Sequence, residues 1–175
     1  APTDIKAPHP MSRSLLLLFL LAPSLAIAEL KVATLHPLLT DLAKQVGGDR
    51  VTVLPLLGQG ADPHAFSPTP GDLTRAADSR LILASGKGLE PYLDRIRDNL
   101  RPNQELFEVG RKIPSLLIEV GPVFVCCPNH NQGAIDPHWW HSIAAMRRAT
   151  RYLAEEFARV DPAGSAGYKA NAKAY

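Results

Sequence analysis

From Leu30 onward, short apolar runs alternate with amphipathic stretches, and that alternation predicts the elements of the chain. Leu30 to Thr34, Val51 to Pro55, Leu81 to Ala84 and Glu105 to Val109 have the length and the Leu, Val and Ile content of strands. A helix is expected from Pro37 to about Val46, stopped by Gly47-Gly48. Thr69-Pro70-Gly71-Asp72 opens a short helix to about Ala77, with proline where its missing N–H costs nothing. Pro91 to Leu100 is a third helix. Strands and helices alternating at these lengths imply βαβ units, hence an α/β fold with a mainly parallel sheet covered on both faces. Ligands of such sheets gather beyond the carboxyl ends of the strands.

Gly110 to Gly133 is the least regular stretch, punctuated by Pro114, Gly121, Pro122 and Pro128, with room for one short strand near Leu116 to Ile118. A long helix then runs to about Val160. Ile143, Met146, Ala149, Leu153, Phe157 and Val160 recur at steps of three or four, and Arg147, Arg151 and Glu155 lie toward the other side. Asp161-Pro162 is expected to end that helix and to start another, with Asp at the N-cap and Pro at the first helical position. This last helix, 163–175, carries no stop signal in its final residues.

The amino terminus reads as an export signal. Met11-Ser12-Arg13-Ser14 is a short positive region, Leu15 to Leu21 an apolar run, and Ala26-Ile27-Ala28 the small-x-small pattern of a cleavage site. The apolar run is far shorter than the ~20 residues that span a bilayer. Residues 1–10 read as an upstream extension or remnant, 11–28 as the signal, and Glu29 as the first residue of an exported, periplasmic chain. With no cysteine at the cleavage point, a lipid anchor is not expected. The remaining 147 residues suffice for one domain with a proper core. Losing Lys6, Arg13 and Asp4 takes the formal charge from +2 to +1, and the basic residues are scattered, so nothing favours nucleic acid. Cys126 and Cys127 are adjacent, and neighbours close only a strained eight-membered ring; free, metal-bound and intermolecularly paired states all stay open.

The candidate chemistry lies in a repeated tripeptide. Asp62-Pro63-His64 and Asp136-Pro137-His138 are two copies where composition alone gives about 0.03. Proline fixes its own φ and pushes the preceding residue out of the helical region, so each copy is a stiff bend. Its Asp can accept backbone N–H bonds around the turn. A histidine on such a bend has a direction before any ligand arrives, and neutral imidazole ligates zinc and related metals. His64 and His138 are therefore the candidate metal ligands, against the plain alternative of two surface turn histidines. Two imidazoles are an incomplete site, since zinc usually takes three or four protein ligands. His130, His141, Cys126 and Cys127 are possible helpers, although His141 and Ser142 can equally cap the helix. His36, before Pro37, belongs to a strand-to-helix turn rather than to the ligand set. Trp139 and Trp140 either wall off water beside a ligand or are ordinary packing. Gly58-Gln59-Gly60 and Gly86-Lys87-Gly88 lack the spacing of phosphate-binding loops, and there is neither a nucleophile elbow nor an HExxH helix.

Several segments resemble the amino-terminal lobe of ZnuA-like solute-binding proteins, the zinc or manganese receptors of ABC importers. They are Gly60 through Pro70 (GADPHAFSPTP), Ala76-Ala77-Asp78, and Gly86 through Leu93 (GKGLEPYL). Asp136 through Trp140, Asp161-Pro162 and Tyr168 through Ala172 resemble the second block and the start of the long helix between lobes, so the likeness covers essentially all of 29–175. It implies 29–160 as a metal-binding lobe, 161–175 as the beginning of the interlobe helix, and His64 and His138 as the first two ligands of Zn2+, or of Mn2+. The other ligands would come from a second lobe, before which this chain ends. The histidine-rich acidic loop of many zinc members is reduced here to little more than Cys126, Cys127 and His130, so metal choice stays open. The implied partners are an inner-membrane permease and, as a further candidate, a zinc chaperone; no catalytic role is implied. Ligand histidines must be deprotonated, so binding should weaken as pH falls through ~6.5. Alone, such a lobe should bind metal weakly. An exported zinc-dependent hydrolase fragment and a truncated product without function are the alternatives.

Overall fold

The computed structural model describes residues 29–58, 60–117 and 135–175. The expected leader, Cys126, Cys127 and His130 lie outside them. Four strands form one all-parallel sheet in the order β2-β1-β3-β4: β1 is Leu30–Thr34, β2 Val51–Pro55, β3 Leu81–Ala84 and β4 Glu105–Glu108. Leu30 pairs with Val51, Val32 with Leu81, and Leu81 with Glu105, so β1 and β3 are central and β2 and β4 are the edges. Burial follows position. The four residues of β3 are all buried, as a central parallel strand covered on both faces requires.

Five helices cover the two faces: α1 (Pro37–Gly47), α2 (Pro70–Arg75), α3 (Leu93–Asp98), α4 (Ile143–Val160) and α5 (Ser165–Ala174). Side chains alternate along each strand, so β3 sends Leu81 and Leu83 to one core and Ile82 and Ala84 to the other. The larger core packs Leu39, Leu42 and Val46 of α1 with Leu153 and Phe157 of α4 and Tyr168 of α5. The smaller one packs Leu35, Leu56 and Ala76 with Tyr92, Leu93 and Ile96. Each fully buried Leu or Phe contributes about 1.5–3 kcal/mol, so these two layers hold the sheet between them. No described helix is long and apolar enough to cross a membrane.

Differences from expectation fall at element ends. The third helix is only Leu93–Asp98, shorter than Pro91 to Leu100. The second gives way to a 3-10 turn at Ala76–Asp78. Near Leu116 the described residues hold a single antiparallel bridge, Leu117 to Ile135, rather than a strand. Asp161 does not cap the last helix. A 3-10 turn, Pro162–Gly164, intervenes, and the carboxylate goes instead to Arg50, which reaches it through Nε (3.1 Å) and Nη2 (2.9 Å), and to the Tyr168 hydroxyl (2.5 Å). Asn171 Nδ2 also donates to Val46 O at 3.1 Å. These bonds fasten α5 and the turn before it to the end of α1 and the turn after it.

Candidate metal centre

The strand order reverses at β1: β2 lies on one side of it and β3 on the other, which makes the β1/β3 boundary the topological switch point. Loops leaving the carboxyl ends of the strands meet there. His36 follows β1, His64 follows β2, and Ser85 to Glu90 follow β3. His138 stands just before α4, in the segment that packs on this edge.

The two tripeptides fold alike. His64 N–H donates to Asp62 Oδ1 at 2.9 Å, and His138 N–H donates to Asp136 Oδ1, also at 2.9 Å. Each aspartate thus closes an Asx turn across its proline, and each histidine leaves the turn with its backbone fixed. At the second copy the same carboxylate oxygen also meets the ring, with His138 Nδ1 2.8 Å from Asp136 Oδ1. A carboxylate can only accept, so Nδ1 carries the proton and Nε2 keeps its lone pair for a cation. The His64 and His138 ring centres lie 5.5 Å apart at 53°. Two imidazoles sharing one cation at ~2.1 Å from a nitrogen of each have centres about 5 Å apart near the tetrahedral angle, so the pair has the right spacing. Among the described residues no group of three or more His, Cys, Asp or Glu side chains could hold a metal ion. Among the described residues His64 and His138 are a pair, not a complete donor set.

The two tryptophans divide the alternatives weighed for them. Trp139 is buried, and its indole N–H donates to Ser85 Oγ at 3.0 Å, docking the second tripeptide onto the loop after β3. Gly110 allows this approach: a Cβ there would lie 2.5 Å from Ser85 O and 2.6 Å from Trp139 Nε1. Trp140 lines the site, 5.2 Å from His138 and 4.8 Å from His36 between ring centres. His141 is exposed, with its ring 6.2 Å from His138, while Ser142 caps α4 by accepting from Ala145 N–H. A cleft of about 340 Å³, lined in part by Asp136, His138, Trp139 and Ile113, opens beside the second tripeptide. A longer groove of about 830 Å³ runs between α4 and α5 and touches the site only at Trp140 and His141.

Two groups here were not anticipated. His36 does occupy the expected strand-to-helix turn, and its Nδ1 caps α1 by accepting Leu38 N–H at 3.1 Å. It also belongs to the cluster. Burial first, then repulsion from His64 and His138, lowers its pKa to about 4, so it stays neutral at pH 7. Its place after the central strand was the available signal. Glu90 is buried under the Ser85 loop and accepts Ser85 N–H at 2.6 Å and Gly86 N–H at 2.9 Å. Burial raises its carboxyl to about 7 despite those bonds. No spacing pattern announces a lone glutamate folded back under its own loop.

An α/β lobe with paired histidines at its switch point is the architecture of a metal-binding receptor lobe. The periplasmic zinc-uptake complex component A family, ZnuA, matches residues 32–175, and the chain belongs to it. A manganese-binding lipoprotein, MntA, of Halalkalibacterium halodurans is 27% identical over 146 residues, 83% of this chain and 45% of that protein. The iron-binding protein YfeA of Yersinia pestis is 28% identical over 153 residues, 87% of this chain and 46% of that protein. A crystal structure of ZnuA superposes with a TM-score of 0.71 at 26% identity, covering 83% of this chain and 52% of the other. The Ni2+ complex of FpvC from P. aeruginosa gives 0.68 at 27% identity, covering 84% and 49%. The chain therefore spans about half the length of the proteins it matches. By their descriptions these relatives bind metals, manganese for MntA and iron for YfeA, and the family is one of zinc uptake.

Proposed function

We propose that this chain is the amino-terminal, metal-capturing part of the substrate-binding component of an ABC-type metal importer. It works outside the cytoplasm, takes a divalent cation on His64 and His138, and passes it to a membrane permease. The cation is cargo, not a resident cofactor. The observation that carries the reading is the pair of Asx turns, which hold two imidazoles 5.5 Å apart at the carboxyl edge of a parallel sheet. Zn2+ is the preferred cargo, because imidazole nitrogen suits zinc while oxygen donors suit manganese. Mn2+ is the alternative, supported by MntA; YfeA and FpvC widen the range named among relatives to iron and nickel.

The receptor must bind without keeping. Asp136 holds the His138 ring in the tautomer that can ligate, so affinity does not depend on ordering a loose side chain. An imidazole ligates only through an unprotonated nitrogen, so protons compete with the cation and capture weakens on acidification. Calorimetric titration with Zn2+ and Mn2+, on the wild type and on His64→Ala and His138→Ala, tests the reading. Metal binding that weakens on acidification and is lost in both variants is expected. Binding left unchanged by both substitutions rejects it.

A further inference from the structure

Among the described residues a third imidazole, His36, stands beside the pair at the switch point, sharing Trp140 with His138. His36 Nδ1 accepts Leu38 N–H at 3.1 Å, so that lone pair is spent and the proton of the neutral ring sits on Nε2. An Nε2–H has no lone pair to give a cation. The reverse tautomer would set Nδ1–H against the amide of Leu38 and uncap α1. His138 shows the opposite arrangement, with Nδ1 against the Asp136 carboxylate, so its proton sits on Nδ1 and its lone pair on Nε2. The same Trp140 ring touches both His36, at 4.8 Å, and His138, at 5.2 Å. The rings of His36 and His138 are therefore fixed in opposite tautomers, each by a partner in its own loop.

We propose that His36 is a positioning residue of the metal centre, whose Nε2–H donates a hydrogen bond to a carboxylate or water oxygen bound to the cation in the positions that His64 and His138 leave free. The inference rests on the metal-capture reading above. Its chemistry is that of an outer partner that orients a ligand it does not replace. A fixed donor at this point favours an oxygen ligand, above all an anionic one, over a third nitrogen. It would also make the centre mixed in nitrogen and oxygen, though the sheet edge offers three histidines.

Two variants separate this role from capping and from packing. His36→Ser keeps an N-cap acceptor for α1 but removes the ring. His36→Phe keeps a ring against Trp140 but removes the donor. Zn2+ titration of the chain should show affinity roughly 10- to 100-fold lower in both variants. At pH 7, His36→Ser should meanwhile keep the wild-type melting temperature. Electron paramagnetic resonance of the Cu2+-loaded protein should show the same number of nitrogen ligands in the wild type and in both variants. A nitrogen count that drops by one makes His36 a ligand and overturns the inference. Unchanged affinity, or a loss in only one variant, reduces His36 to a cap or a packing group and also overturns it. If the wild type binds no metal, or binds it without His64 and His138, the capture reading falls and takes this inference with it.

Discussion

Asp136 Oδ1 meets two atoms of His138, the backbone N and Nδ1. It closes the turn, holds the backbone of His138, and fixes the proton on His138 Nδ1. Removing it leaves both candidate histidines in the sequence but frees one to take the other tautomer and direction. Asp136→Ala should lower Zn2+ affinity by roughly 10- to 100-fold, and a calorimetric titration with affinity within twofold of wild type would refute this. At this scale the repeated Asp-Pro-His was legible, because proline and a short acidic side chain act locally through bonds within two residues. The hold of Asp136 on the ring, the second task of His36 and the burial of Glu90 were not legible. Each depends on what folds over it from elsewhere in the chain.

The elements turn on contacts that few residue types allow. Trp139 docks the second tripeptide against Ser85, and Gly110 is the only residue small enough to let it in. Gly110→Ala should destabilise the fold by about 1–3 kcal/mol, read from denaturant unfolding, through overpacking. The same change should shift the tryptophan fluorescence as Trp139 moves out; an unmoved spectrum with full stability would show that the contact is soft. Strands and helices could be read ahead because period and burial agree: β3 is uniformly apolar, and α4 keeps its apolar residues at steps of three and four. The start of α5 could not. Asp161-Pro162 has the form of a cap, but Arg50, 111 residues earlier, claims the carboxylate, and no local rule registers a partner so distant. Burial works against its ionisation, yet the bonds from Tyr168 and Arg50 hold the Asp161 pKa below the ordinary carboxylate value.

Across the molecule, two buried groups titrate in opposition. His36, lowered from 6.5 to about 4, leaves the native state short of a proton that the unfolded chain binds in that window, so its contribution to stability is lost as pH falls. Glu90, raised from 4.5 to about 7, gives the native state a proton that the unfolded chain has released, so its contribution is lost as pH rises. Between about pH 5 and 6.5 the two slopes nearly cancel. His36→Ser should uncover the Glu90 slope: relative to wild type, denaturant unfolding of the variant should show stability rising as pH is lowered from 7 to 5. Parallel pH–stability curves for the two proteins would refute the assignment. The overall architecture was readable because alternating strand and helix lengths permit few topologies. The meeting of His36, His64 and His138 could be expected only as far as the sheet-edge rule carries, since loops set the final approach.

The central place of β1 has a consequence in time. Among the described strands it is made first, yet both its neighbours come later, β2 after α1 and β3 almost fifty residues on. No strand in this sheet can pair with its neighbour through a hairpin; each pairing waits for a whole crossover to be synthesised. Until Leu81–Ala84 arrives, one flank of the Leu30–Thr34 strand stays open and sticky, a standing invitation to aggregation in a crowded cell. The arrangement that gathers three loops at one edge also makes the nascent chain dependent on protection before it is complete.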